Sequence, residues 1–448
     1  MPGDAHNIET TLGVDDMDPT TRKTQPELPT HVLEDEKTLP EEESEEGDYE
    51  QDIPDGGLGW LMAVSGSFLI FSSFGFANSW GVQYYRTEIL QDTPPATVAW
   101  IGSIQYCLIL LPSALTGYLM DHRHFRGPLH TASVICIVSV FLVAECKKYW
   151  QFMLVQGVLY GLSAGFLFGP ILPLMQHWFR RRRATAYGIT ATGSSTGGTV
   201  LPIVVRKLIP MIGFKWTIRV VGFIFFLTIG VPNLVLRTRY PPTKSKSGLL
   251  DMSIFKSAPY SFHVAGLFVS FLGMYTVLTY IDVAGVSAGL DPNFTFYLVS
   301  IANAGSAVGR LSGGLMGDRI GPINTLIPMT LAAAVTTFAW PYCTTKAALI
   351  PLAILYGMCS GVFMGICAAI PSPPSNPVNP QDRGRMVGML FTIASIGSLV
   401  GPPISGAIHD KYGGFHQVSI YAGCMIVFAA VLLTCARQAA IGRVWGII

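Results

Sequence analysis

Arg310 is the one basic side chain placed deep inside an apolar stretch of this chain, eight residues before Asp318. At the rise of an α-helix, that puts it roughly 12 Å inside the boundary marked by the Asp318 turn. A cation in hydrocarbon costs about 3 kcal/mol on insertion scales, so it should face a cavity and meet an anion there. Few acids are available for that role. Asp282 is the nearest, and it stands at the far end of the preceding apolar stretch, away from Arg310 in depth. That shortage favours a bound substrate anion over a structural ion pair. A second set of groups recurs at two turns: Gly117-x3-Asp121 with Arg123, and Gly314-x3-Asp318 with Arg319. A carboxylate at such a turn can accept hydrogen bonds from a neighbouring helix N-terminus or an arginine, forming a conformational latch that holds one state and releases in another.

These turns are copies of one another, displaced by 197 residues, and a second pattern repeats at almost the same offset. Tyr160-Gly161-x3-Gly165-x3-Gly169 returns as Tyr356-Gly357-x3-Gly361-x3-Gly365, 196 residues later. Two matches at one offset indicate an internal duplication, and duplicated halves are the build of a secondary transporter. Shifting Arg310 back by 197 lands on Ser113, so the buried cation belongs to one half alone.

The elements that position these groups must lie in a bilayer. Half of the residues are hydrophobic, only 13% are charged, and the mean hydropathy is +0.44. Twelve apolar stretches of spanning length fall near 59–82, 97–119, 128–145, 150–173, 184–205, 218–236, 261–284, 295–317, 322–341, 346–370, 385–408 and 416–436. They predict an all-α polytopic membrane protein of twelve transmembrane helices in two six-helix halves. The organisation read from them is an acidic cytoplasmic tail over 1–55, a six-helix bundle over 56–236, a cytoplasmic linker over 237–260, a second bundle over 261–437 and a short cytoplasmic tail over 438–448. The first tail holds 18 of the 28 acidic residues and too little apolar surface to fold alone, so disorder is expected. It shows no apolar leader core, which leaves targeting to the first spanning helix.

With the tails cytoplasmic, inner connections carry 16 Lys and Arg against nine in the outer ones, the bias that sets both termini inside. The expected location is the plasma membrane, with the lipid bilayer as partner. Asn293-Phe294-Thr295 is a sequon in an outer loop, a weak glycosylation candidate because it abuts the next helix. The eight cysteines have neither paired spacing nor neighbouring histidines, which argues against a disulfide framework or a metal site. No nucleophile elbow or acid–base constellation suggests an enzyme, no cofactor is expected, and nothing points to nucleic acid.

Several motifs resemble the major facilitator superfamily, and within it the monocarboxylate-transporter-like branch of fungi. They are Pro54-Asp55-Gly56-Gly57-Leu58-Gly59-Trp60 opening the first helix, Trp178-Phe179-Arg180-Arg181-Arg182-Arg183-Ala184 with Tyr187-Gly188 entering the fifth, and Gly401-Pro402-Pro403-Ile404 with Gly406, His409 and Asp410 closing the eleventh. The resemblance implies the major facilitator fold, alternating access and a substrate carboxylate held by Arg310. It also implies cavity-lining roles for Asn78 and Phe74 on the first helix, Phe168 on the fourth, Tyr275 on the seventh, Asn303 on the eighth and Phe363 on the tenth. Where characterised members have an acid one turn before the arginine and a lysine on the first helix, this chain has Ser306 and Asn78. Proton-coupled lactate or pyruvate transport is therefore not expected. Coupling would need another titratable group such as His263, a lone histidine at a helix start read as interfacial; uniport is the other option. Aromatic abundance with few fixed charges suits an amphipathic organic acid such as a secondary metabolite. The alternative reading is a non-transporting metabolite receptor on the same fold.

Overall fold

Lipid offers no hydrogen-bond partners, so a spanning backbone must satisfy itself, and the described residues do so with helices. The structure is a computed structural model that describes residues 55–78, 89–90, 93, 95–122, 124, 126–237, 250, 252–371 and 383–442, and among these there is no strand. Nearly all of the acidic tail and most of the 237–260 linker lie outside the described residues. The helices are α1 (Leu58–Asn78), α2 (Pro95–Leu110 and Ser113–Asp121), α3 (Arg126–Val143), α4 (Tyr149–Gln176), the run Arg183–Val235, α7 (Ala258–Ser287), α8 (Pro292–Ile320), α9 (Pro322–Ala339), α10 (Lys346–Ile366), α11 (Arg383–Tyr412) and α12 (Phe415–Ile441). The 53-residue run turns at Gly213, whose φ of 74° suits glycine, and so comprises α5 before that residue and α6 after it. Ten helices among the described residues are long and apolar enough to cross a membrane. Dividing Arg183–Val235 and adding α8, which is rich in Gly and Ser and carries Arg310, Asp318 and Arg319, brings the helical rods to twelve.

α5 and α8 pack along each other, as do α2 and α11, and these two contacts join the first six helices to the last six. Both are built on glycine, and they mirror each other. On α5, a side chain at Gly188 would run into the carbonyl oxygen of Arg310, and on α8 a Cβ at Gly314 would stand 2.7 Å from the Ala184 carbonyl oxygen. On α11, a side chain at Gly388 would run into the carbonyl oxygen of Ser113, and on α2 one at Gly117 would meet the Gly384 carbonyl. Gly117 and Gly314 are related by the duplication, 197 residues apart, and small residues at such crossings let backbones meet without a side chain between them.

Polar groups pin the same region. α2 breaks at Leu111-Pro112, and the Thr392 hydroxyl of α11 fills the break by donating to the Leu111 carbonyl at 2.8 Å and accepting from the Ala114 amide at 3.0 Å. Asp55, before α1, accepts from the backbone amides of Arg180, Arg181 and Arg182 at 2.7, 2.8 and 3.2 Å, while Trp60 packs on Phe179 with ring centroids 4.6 Å apart. Two motifs far apart in the chain thus form one joint. At the opposite end of the bundle, Glu145 holds Lys215 Nζ and Arg219 Nη2, each at 2.8 Å, and these hydrogen bonds keep its carboxyl below the usual carboxylate range.

Candidate functional site

Arg310 stands on the face of α8 that meets α5, only 8% exposed. Its Nε donates to Ser306 Oγ at 3.3 Å, one turn back on the same helix, and Nη1 donates to the Ala191 carbonyl and to Ser194 Oγ on α5. Nη2 has no hydrogen-bond partner among the described residues, and no carboxylate among them pairs with the cation. Asp282 keeps to its own helix, accepting from the Val283 amide at 2.8 Å. The guanidinium is therefore anchored by neutral oxygens, with one nitrogen unspent.

A polar chain leads from it across three further elements. Ser194 gives its carbonyl to Asn78 Nδ2 at 3.3 Å, and Asn78 Oδ1 accepts from the Tyr106 hydroxyl of α2. Asn303, one and a half to two turns before Arg310 on α8, donates to Val299 O at 3.0 Å; Gly198 of α5 lies between it and Asn78, and a Cβ there would come within 2.9 Å of Asn78 and 3.0 Å of Asn303. Beside this chain runs a train of rings drawn from both halves. Tyr106 meets Tyr275 at 5.2 Å between centroids, Tyr275 meets Phe271 at 5.5 Å, and Phe271 meets Phe363 at 6.4 Å. In the other direction Tyr106 lies 6.3 Å from Phe74, which stands edge-on to Phe168 at 4.9 Å, and Phe168 continues to Phe391 at 5.2 Å.

Of the seven residues expected to line a cavity, Asn78, Phe74, Phe168, Tyr275, Phe363 and Arg310 thus fall along one connected polar and aromatic network, and Asn303 joins it across Gly198. Sequence reasoning missed Tyr106, Ser194, Phe271 and Phe391. Tyr106 is the hinge of the network, yet a single tyrosine in an apolar stretch carries no spacing that marks it. Ser194 stands in a run of small residues, Gly193 to Gly198, whose composition suits close helix packing and does not single it out. His263, read as interfacial, is fully buried within the protein, with Nε2 2.9 Å from the Cys367 carbonyl. The polar end of α7 is needed inside because that carbonyl, just past the end of α10, requires a donor.

Asp318 accepts from the amides of Ala184 at 2.8 Å and Thr185 at 3.0 Å, two of the four unpaired N–H groups that open α5. Arg319 lies in the last turn of α8, exposed. The Asp121 side chain and Arg123 lie outside the described residues. At the opposite end, the Asn293 side chain accepts from Arg206 Nη2 at 2.5 Å, and Thr295 of the sequon is buried.

Among the described residues such a site offers a cation, amides, hydroxyls and π faces, which is the equipment of recognition. The family model described as Major Facilitator Superfamily matches residues 61–378. The chain belongs to that superfamily. Among its relatives, the Aspyridones efflux protein apdF of Emericella nidulans is 36% identical over 385 residues, covering 85% of this chain and 78% of that one. The Agnestins efflux protein AgnL12 of Paecilomyces divaricatus is 30% identical over 383 residues, covering 84% and 87%. In fold, the superfamily member resembles the Escherichia coli fucose:proton symporter FucP with a TM-score of 0.64 at 15% identity, covering 84% of this chain and 98% of that one. It also resembles the human organic anion transporter MFSD10 with a TM-score of 0.61 at 14% identity, covering 83% and 98%. It is a multi-pass membrane protein and a secondary transporter of the major facilitator type, not an enzyme.

Proposed function

We propose that this transporter exports an amphipathic organic anion of the secondary-metabolite kind, monocarboxylate-like in its charged end, with Arg310 engaging the anionic group and the rings of Phe74, Phe168, Tyr275 and Phe363 taking the apolar body. The observation that carries the reading is the buried Arg310 guanidinium, which has a free Nη2 and no carboxylate partner among the described residues. An intramembrane cation kept without a counter-ion is retained for a ligand. The direction rests on the relatives, two of which are named for the efflux of aspyridones and agnestins. Asn78 and Asn303 supply hydrogen bonds to the polar rim of the substrate. The protein stands in the plasma membrane with both termini cytoplasmic, which makes the Asp318 end the cytoplasmic one.

Alternating access follows from the ties between the halves. Arg310 also binds Ala191 and Ser194 of α5 through Nη1, so an anion that arrives at Nη2 draws the guanidinium toward itself and loosens the α5–α8 contact. Asp318 on the α5 amides is the latch that holds the cytoplasmic end shut. Hydrogen bonds to a charged group contribute about 1.5–3 kcal/mol, so Asp318→Asn is expected to shift the population roughly tenfold or more toward the cytoplasm-open state. Cys367, 2% exposed in the closed form, reports it: with the other cysteines replaced by alanine, maleimide labelling of Cys367 should rise by a similar factor.

The direct test of function uses inside-out vesicles and the fluorescent aromatic acid pyrenebutyrate. Saturable accumulation above that of vesicles lacking the protein is expected. Equal signals in the two preparations, across a panel of aromatic acids, would refute export of this substrate class.

A further inference from the structure

α1 is not a uniform helix. After Leu58–Ile70 come five residues in π conformation, Phe71–Gly75, before the α form resumes at Phe76–Asn78, and α4 contains a second π segment, Met153–Tyr160. A π turn accommodates an extra residue, and where its hydrogen-bond ladder meets the α ladder a carbonyl loses its usual partner inside the helix. Tyr160, the last residue of the α4 segment and fully buried, donates its hydroxyl to the Ser72 carbonyl, with the Ser73 carbonyl 3.3 Å from the same oxygen. The two π segments are thus joined to each other. Ser72 is held again from α6, its hydroxyl 2.7 Å from Thr228 Oγ1, and Gly75 backs directly onto Gly197 of α5.

The residues that depend on this register are site residues. Phe74 lies within the π segment and stands between Phe168 and Tyr106; Asn78, three residues past the end of that segment, bonds both Tyr106 and Ser194. The second half offers a natural control. Tyr356, the duplicate of Tyr160, donates to the Met274 carbonyl of α7, but there both helices are unbroken α. The tyrosine-to-carbonyl bond is common to the two halves, whereas the π register belongs to the first.

We propose that the Tyr160 hydroxyl holds α1 in its π register and so fixes where Phe74 and Asn78 stand, which makes Tyr160 a positioning residue for the transported molecule. This rests on the reading of the network as the transport site. Without that hydrogen bond the segment returns to α form, and everything beyond it turns by about 100°, one residue's worth of helix, which carries Asn78 away from Tyr106.

The test compares Tyr160→Phe with Tyr356→Phe, each of which removes one hydroxyl and no packing volume. The first arm is an electron cryo-microscopy structure in lipid nanodiscs, which needs no ligand. Residues 71–75 are expected to be α-helical in Tyr160→Phe and π in Tyr356→Phe. The second arm is pyrenebutyrate transport, in which Tyr160→Phe should raise KM about tenfold with Vmax within about twofold, while Tyr356→Phe leaves KM unchanged. A π segment intact in Tyr160→Phe overturns the proposal, as does an equal rise in KM in both variants. Should the native protein not move pyrenebutyrate, the site assignment fails on that arm, and the structures still decide whether Tyr160 sets the register.

Discussion

Gly388→Val is expected to stop transport while leaving the protein folded. The valine branches would enter the space of the Ser113 carbonyl on α2, at a crossing where the two helices meet backbone to backbone. Overpacking of this kind costs about 1–3 kcal/mol, and on the proposed alternating access, in which this crossing parts as the Asp318 end opens, the cost falls on the closed state. An equilibrium moved by that amount changes by roughly five- to 150-fold, and turnover should fall with it. Gly188→Val, pressing on the Arg310 carbonyl from the mirrored seam, should do the same. Gly230→Val supplies the control, since nothing lies within 4 Å of a Cβ there. Transport in vesicles, with Cys367 labelling as the monitor of opening, measures all three. Full activity in Gly388→Val would show that the seams are not the moving contact.

Arg310→Met is expected to abolish transport while leaving the fold in place. The substitution breaks the three hydrogen bonds to Ala191, Ser194 and Ser306 but also removes the cost, about 3 kcal/mol, of holding a cation in the membrane interior, so the two changes in stability oppose each other. A drop in transport of a hundredfold or more corresponds to about 3 kcal/mol of lost binding to the anion. Differential scanning fluorimetry beside the flux assay separates the roles: a melting temperature close to the native one with transport lost assigns Arg310 to the cargo, and a collapse of both assigns it to the fold.

The helices were largely legible from the chain because a bilayer imposes length and apolarity on each of them. α7, expected over 261–284, spans Ala258–Ser287, and α12, expected over 416–436, spans Phe415–Ile441, so both run a few residues past the apolar core at each end or at one. α5 runs on to a break at Gly213 because the charged residues beyond 205 remain helical at the membrane edge. α8 is the instructive one. Its polarity weakens it as a spanning segment, and that same polarity is what marks it as the helix bearing the site. Arg310 was legible as an isolated charge and Asp318 as half of a repeated turn, since both stand out against apolar neighbours. What remained hidden depends on geometry that spacing does not encode. Tyr106 joins two halves through a partner on α1 and a ring on α7, and the π segments of α1 and α4 have no composition that distinguishes them from ordinary helix. The duplication read most clearly at the seams, in Gly117 and Gly314, whose partners Gly384 and Ala184 lie far away in the chain.

The central claim is that Arg310 takes the anionic end of the cargo, and a matched pair of ligands addresses it most directly. Pyrenebutyrate and its alcohol, pyrenebutanol, share a ring system and differ in charge, and their binding to the purified transporter can be followed by pyrene fluorescence. The native protein is expected to prefer the acid by about tenfold or more, a preference of at least 1.4 kcal/mol, and Arg310→Met to bind acid and alcohol alike. Survival of the acid preference in Arg310→Met would contradict the assignment.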